Sequence, residues 1–222
     1  MTVSSERRDG VRLRTAKLAV LIGSRAVLSG IDLEARPGSV LVVTGPAGSG
    51  KTTLLHVLAG IISPSQGEAT LDGESATRFR ETKGSSIGFV PQTLGLAAAL
   101  TAAENIAVPL QLLRLARQQV AARVQETLAA LGIENAGEQL ATELSGGQQQ
   151  RAAVGRAIIA EPRLIIADEP TSELDAVSRD VVYALLREAA DQGATVVMAT
   201  HDFDLVERGD DVVYLHDGRL AD

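Results

Sequence analysis

The chain contains no cysteine, which excludes a disulfide framework, a thiolate nucleophile and thiolate metal ligation, and suits a cytosolic setting. Aromatic residues make up only 2% of it, so the apolar surface must come from Ala, Val, Leu and Ile. Basic charge is also short: 21 Lys and Arg stand against 28 Asp and Glu, a net charge of -7. Sequence-independent binding to nucleic acid needs clustered cations to neutralise phosphates, and no Lys/Arg run is present, so no nucleic-acid partner is expected. Long hydrophobic runs are missing too. Stretches such as Leu18 to Ile22 and Leu164 to Ala167 fall far short of the ~20 residues of a membrane-spanning helix, so any membrane role must come through a partner. The segment Met1 to Arg14 has no apolar core of the signal-peptide kind and reads as a short, mobile leader.

What is there reads as one globular domain over residues 1–222, long enough to bury a core without staples. Val40 to Thr44 is an apolar, β-branched run ending in a Gly-rich turn, and Lys51 to Ala59 then carries helix formers closed by Gly60. Further strands are expected at Ile87 to Pro91, Leu164 to Asp168, Thr195 to Thr200 and Val212 to Leu215, separated by mostly helical segments, which implies a mainly parallel sheet with helices on both faces. Val177, Val181 and Leu185, widened by Val182 and Leu186, mark the packed stripe of a helix from Ala176 to Asp191. Turn signals at Gly23-Ser24 and Ser29-Gly30 break Val11 to Glu34 into a small antiparallel sheet. Thr101 to Ala160 offers no convincing strand: Thr101 with Glu104 fits a capping box, and Ala121, Val124, Leu128 and Leu131 form one helical face ending at Gly132. The fold class is α/β, with an α/β core over 11–92 and 161–222 and an inserted helical subdomain over 93–160.

Gly45-Pro46-Ala47-Gly48-Ser49-Gly50-Lys51-Thr52 fits the phosphate-binding loop pattern in its required strand-to-helix context, and Thr53 joins the nucleotide-contacting set. Glycines let backbone N–H groups turn inward around phosphate oxygens, and the following helix points its positive end at them. Lys51 would reach the β- and γ-phosphates and Thr52 would ligate magnesium. Leu164 to Ala167 leads into the adjacent carboxylates Asp168 and Glu169. Asp168 would hold magnesium; alternation along the strand would turn Glu169 the other way, to act as general base on the attacking water.

Leu144-Ser145-Gly146-Gly147-Gln148, followed by Gln149, Gln150 and Arg151, resembles the signature sequence of ABC ATPases. A Ser and two glycines opening a helix converge a hydroxyl, backbone N–H groups and the helix dipole where an anion could sit. The resemblance covers nearly the whole chain. It identifies Gln92 with the glutamine loop, Ser172-Glu173-Leu174-Asp175 with the loop after the catalytic Glu, and His201 with the switch histidine. It implies a P-loop NTPase of ABC type using ATP and Mg2+, with Glu169, His201, Lys51 and Gln92 catalytic and with Thr52, Gln92 and Asp168 at the metal. His201 would contact the γ-phosphate and Asp175 would help join two subunits. It further implies a head-to-tail homodimer in which Ser145, Gly146, Gly147 and Gln148 of one subunit close over ATP held by the other.

Leu54 to Gly60, Leu100 to Leu110 and Glu143 to Arg151 look most like the branch serving lipoprotein-releasing and macrolide-exporting permeases. That branch implies a subunit at the cytoplasmic face of the membrane, held there by a permease that docks on the region after Gln92. Export of a lipid-linked, peptide or drug-like cargo is the leading reading; an ATP-gated signalling module without cargo is the alternative. The chain departs from the family in two places. No aromatic residue precedes Phe79, so an aliphatic platform near Leu21 or Ile22 is expected under the adenine. Leu94-Gly95-Leu96-Ala97-Ala98-Ala99 replaces bulky sequence at the docking region, as either a shallow groove or a packed small-residue helix.

Overall fold

The computed structural model describes residues 9–221. Two strands open it, β1 (Leu13–Ile22) and β2 (Arg25–Ala35), joined by a tight turn at Gly23-Ser24. The second expected turn is absent: Ser29-Gly30 lies inside β2. Leu18 pairs with Ile31 and Val20 with Leu28, so β2 carries an extra residue there, and Gly30 at φ 66 absorbs the bulge that glycine allows. The expected leader Met1 to Arg14 lies partly outside the described residues. Its described end is held, since Val11 and Leu13 are fully buried, the Val11 carbonyl accepts Thr195 Oγ1 at 2.5 Å, and the Asp9 carbonyl accepts the Arg163 guanidinium.

β3 (Val40–Thr44) enters the phosphate-loop sequence, and α1 (Lys51–Leu58) leaves it. β4 (Gln66–Leu71) and β5 (Glu74–Ser75) complete a four-stranded sheet of order β2-β1-β4-β5, antiparallel throughout. α2 (Ala76–Lys83) precedes β6 (Ile87–Val90). Then come α3 (Ala102–Ala107), α4 (Arg117–Ala130) and α5 (Gly146–Ile158). In this stretch the only strand-like pairing among the described residues is an isolated bridge, Thr101 to Leu140. The chain returns through β7 (Leu164–Asp168), α6 (Ala176–Asp191), β8 (Thr195–Ala199), α7 (Phe203–Val206), β9 (Asp211–His216) and β10 (Arg219–Leu220). The large sheet runs β10-β9-β3-β8-β7-β6, parallel except for the β9–β10 hairpin.

Strand alternation divides the core into two halves. Val42, Ile165, Ala167, Val196 and Met198 pack with α3, α4, α5 and α6. Leu41, Val43, Leu164, Ile166 and Val197 pack with α1 and the antiparallel sheet. All the loops that build the site described below leave the C-terminal ends of the parallel strands.

Two helical faces are rotated from expectation. On α6 the buried residues are Val182, Tyr183, Leu186, Ala189 and Ala190, while Val177 is 76% exposed. On α4, Val124 and Leu128 are buried and Ala121 is exposed. Val177 in the first turn of α6 and Ala121 in the second turn of α4 are left uncovered, while Val120, beside Ala121, packs on the core instead. The stretch from Leu94 to Ala99 forms no helix. Buried Asn105 holds it as a loop, its side chain accepting Ala97 N–H at 2.7 Å and donating to the carbonyls of Ala97, Leu100 and Thr101. Arg156 donates to the Leu94 and Gly95 carbonyls.

Candidate functional site

β3 delivers the chain to Gly45, and α1 begins at Lys51 after Gly50 takes a left-handed conformation, φ 106. The loop borders a cleft of about 700 Å³ whose walls include Gly45 to Gly48, Gly50 to Thr53, Gln92, Asp168, Glu169, Ser172 and His201. Of the expected loop residues only Ser49 stays out of the wall. It is 3% exposed, and its hydroxyl is one of the buried side-chain atoms without a partner among the described residues. Lys51 Nζ donates to the Gly45 carbonyl at 2.7 Å and to that of Pro46 at 3.1 Å.

Thr52 Oγ1 donates to Asp168 Oδ2 at 2.6 Å across 116 residues of sequence. Asp168 is 3% exposed; burial pushes its pKa above the usual carboxylate range, the Thr52 hydrogen bond opposes that, and neighbouring Glu169 adds to it. A desolvated carboxylate beside a hydroxyl, on the wall of a phosphate-loop cleft, is the oxygen donor set of a hard divalent cation, so the residues fit Mg2+.

An aspartate whose folded pKa exceeds its unfolded value holds its proton more tightly when folded. Its ionisation therefore costs stability as pH rises from the unfolded value through the folded one, and the full cost is present above the folded value. Asp168→Asn keeps an acceptor for Thr52. It is expected to raise the Tm of the nucleotide-free protein by a few degrees at pH 7, at about 2–4 °C per ~1 kcal/mol, and by less as pH falls towards 4. Scanning fluorimetry checks this, and an unchanged or lowered Tm at pH 7 would remove the desolvation account.

Alternation along β7 fails at the next residue. Glu169 has φ 50, a left-handed turn that swings its carboxylate onto the same cleft as Asp168. Its N–H donates to the Ala199 carbonyl at 2.9 Å. Its Oε2 lies 2.9 Å from His201 Nδ1, with Glu169 12% and His201 72% exposed. His201 thus sits against the expected base as well as on the cleft wall.

Ser145, Gly146, Gly147 and Gln148 are not in that wall. They form the first turn of α5 as a reciprocal cap: Gln148 N–H donates to Ser145 Oγ at 3.3 Å and Ser145 N–H to Gln148 Oε1 at 2.9 Å. Asp175 caps α6, accepting Ser178 N–H at 2.8 Å, and that backbone hydrogen bond holds its pKa below the usual range.

Sequence reasoning missed three wall or support residues. Arg25 and Val27 on β2 line the cleft, whereas Leu21 and Ile22, the expected adenine platform, are 51% and 59% exposed and outside the wall. Gln150, 1% exposed on α5, bonds to the loop holding Glu169. Nothing local in the sequence distinguishes it from Gln149; only its place three residues after Gly147, on the inner helical face, could have signalled it.

Comparison with known proteins places this geometry. Residues 28–172 match the family model described as ABC transporter. The lipoprotein-releasing system ATP-binding protein LolD of Chromohalobacter salexigens is 40% identical over 202 residues, covering 88% of this chain and 85% of that protein. The ABC transporter ATP-binding protein YvrO of Bacillus subtilis is 36% identical over 200 residues, covering 88% and 87%. Among solved structures, a dimeric post-hydrolysis state of the ATP-binding cassette MJ0796 bound to ADP and Pi superposes with a TM-score of 0.89 at 29% identity, over 95% of this chain and 97% of that one.

Proposed function

The chain belongs to the ABC transporter ATP-binding family, and from that membership we propose that it pairs with a second copy of itself around two MgATP and drives a separate membrane permease. As a member of that family it binds and hydrolyses ATP. The finer reading places it at the cytoplasmic face of the membrane, held by a permease that docks on the loop after Gln92, with export of a lipid-linked, peptide or drug-like cargo. Among the described residues no helix is long and apolar enough to cross a membrane. The homodimer is supported by the MJ0796 cassette, which is dimeric, and the cargo class by the lipoprotein-releasing relative.

The observation that carries the dimer is the division of the functional groups. The phosphate loop, Asp168, Glu169, Gln92 and His201 wall one cleft, and the Ser145 turn lies off it. A helix N-terminus bearing a capping hydroxyl and two glycines is built to meet an anion, and a second copy facing head to tail would bring it one.

In this reading the loop N–H groups and Lys51 hold the phosphates, and an aliphatic surface near Leu21 or Ile22 stands under the adenine in place of an aromatic. Thr52, Asp168 and Gln92 would hold Mg2+, whose chemistry is to neutralise charge on the β- and γ-phosphate oxygens. Glu169 accepts a proton from the attacking water at its carboxylate, while His201, through Nδ1, keeps that carboxylate turned to the cleft. Most of the rate then comes from positioning and fixed charge.

Gly146→Glu tests the composite site. A Cβ at Gly146 would meet Glu173 Oε2 at 3.7 Å, an ordinary contact, and an acid is tolerated in a first helical turn. Facing a partner's phosphates it would be repelled, at a cost of several kcal/mol. Light scattering with Mg2+ and a hydrolysis-resistant ATP analogue is expected to show a wild-type dimer and a monomeric variant, with affinity for a fluorescent nucleotide unchanged. A monomeric wild type would overturn the homodimer in favour of assembly that needs the permease or a different partner subunit.

A further inference from the structure

Gln150 commits its whole amide to one loop. Nε2 donates to the Glu169 carbonyl at 2.6 Å and to Ser172 Oγ at 3.3 Å, while Oε1 accepts Glu173 N–H at 2.7 Å. The side chain is 1% exposed, so water cannot substitute for any of these partners. We propose that Gln150 is a positioning residue for Glu169: it holds the left-handed turn that aims the base into the cleft, and it makes that aim depend on the helix bearing Ser145. The inference rests on the reading of Glu169 as the general base.

A non-glycine residue in a left-handed conformation persists only where its surroundings over-determine it. Glu169 is held at three groups: the N–H by Ala199 at the end of β8, the carboxylate by His201, and the carbonyl by Gln150 at 2.6 Å, with the Ser172 N–H of its own loop a longer second donor to it at 3.3 Å. The first two anchors belong to the parallel sheet and the segment following it. Only the third comes from the helical insertion, and it lies on the same helix whose first turn is the Ser145 cap. A shift of α5 therefore pulls directly on the Glu169 peptide, and through Glu173 on the loop leading to Asp175.

The amide chemistry is specific. Two donors and an acceptor are needed together, and glutamine supplies them on one planar group. Glutamate at this position keeps the acceptor for Glu173 N–H but sets an oxygen against the Glu169 carbonyl; methionine keeps the volume and makes neither bond. If Gln150 served only to glue helix to sheet, its loss would lower stability without singling out the chemical step.

The test compares Gln150→Glu and Gln150→Met with wild type for kcat, KM for ATP and affinity for a fluorescent ADP analogue, alone and in a Glu169→Gln background. Misaiming a catalytic group by about an ångström costs on the order of tenfold to a hundredfold in rate, so kcat is expected to fall by at least tenfold. KM and nucleotide affinity stay within about twofold, because the phosphate loop is untouched. In the Glu169→Gln background the same changes should cost nothing further, since residues acting through one group are not additive. Unchanged kcat, a parallel loss of affinity, or a multiplicative loss in the double variant would each overturn the proposal. Should Gln150→Met fail to fold, Gln150→Glu decides by the same criteria. Undiminished hydrolysis in Glu169→Gln alone would refute the base assignment itself, whatever the Gln150 variants do.

Discussion

Glu169→Gln is expected to bind ATP as wild type does and to turn it over about a thousandfold more slowly, within the 10²–10⁴ range of a lost general base. The substitution is isosteric. The amide oxygen still accepts from His201 Nδ1, which lies 2.9 Å from Oε2, and the backbone anchors to Ala199 and Gln150 are untouched. What is lost is a group able to take the water's proton. Among the described residues the carboxylate pairs with His201 and not with the phosphate loop, so ground-state binding is expected to be unaffected and the effect to fall on kcat alone. Single-turnover phosphate release and fluorescent-nucleotide titration separate the two. A loss smaller than tenfold would move the proton acceptor elsewhere, and His201, on the same wall, would be the first group to examine.

Gly45→Ala is expected to have the largest effect on stability. Its φ of 143 is a conformation that L side chains rarely adopt, and an added Cβ would sit 2.0 Å from the Leu215 carbonyl oxygen and 3.2 Å from Ser49 Oγ. The clash is with backbone on β9, the strand paired to β3, so relief requires moving a core strand or the loop itself. Strain of ~1–3 kcal/mol and overpacking of similar size together make about 3–5 kcal/mol, a loss on the order of 10 °C in Tm. Gly45 also supplies the carbonyl that receives Lys51 Nζ at 2.7 Å, so nucleotide affinity is expected to fall with it. Gly48→Ala is the control: φ is 77, but nothing lies within 4 Å of its Cβ, leaving the conformational cost alone. Equal losses in the two variants, by thermal melting, would show that the approach of β9 is not the cause.

The chemistry-bearing segments were readable because each is built by neighbours in sequence. A β-branched run, a glycine loop and a helix start predict one another within Val40 to Leu58, and Ser145 and Gln148 cap their own helix. The errors share the opposite cause. Val177 and Ala121 keep the helical spacing of buried residues, yet whether a position is covered depends on what packs against it. Ser29-Gly30 has turn chemistry and became a bulge because β1 stays paired on either side of it. Leu94 to Ala99 has helix-forming composition, and distant Asn105 and Arg156 bind its carbonyls before a helix can.

By itself the sequence determined the class of fold, the ATP chemistry and the identity of most of the residues that would carry it, since those follow from local pattern and from motif order. Tertiary structure decided how the groups are aimed. Asp168 and Glu169 share a cleft because of one left-handed turn, Thr52 meets Asp168 across 116 residues, and Gln150 reaches Glu169 across 19. Contacts of that kind leave no period or spacing in the chain: they exist only once the sheet has stacked its strands and brought their ends together.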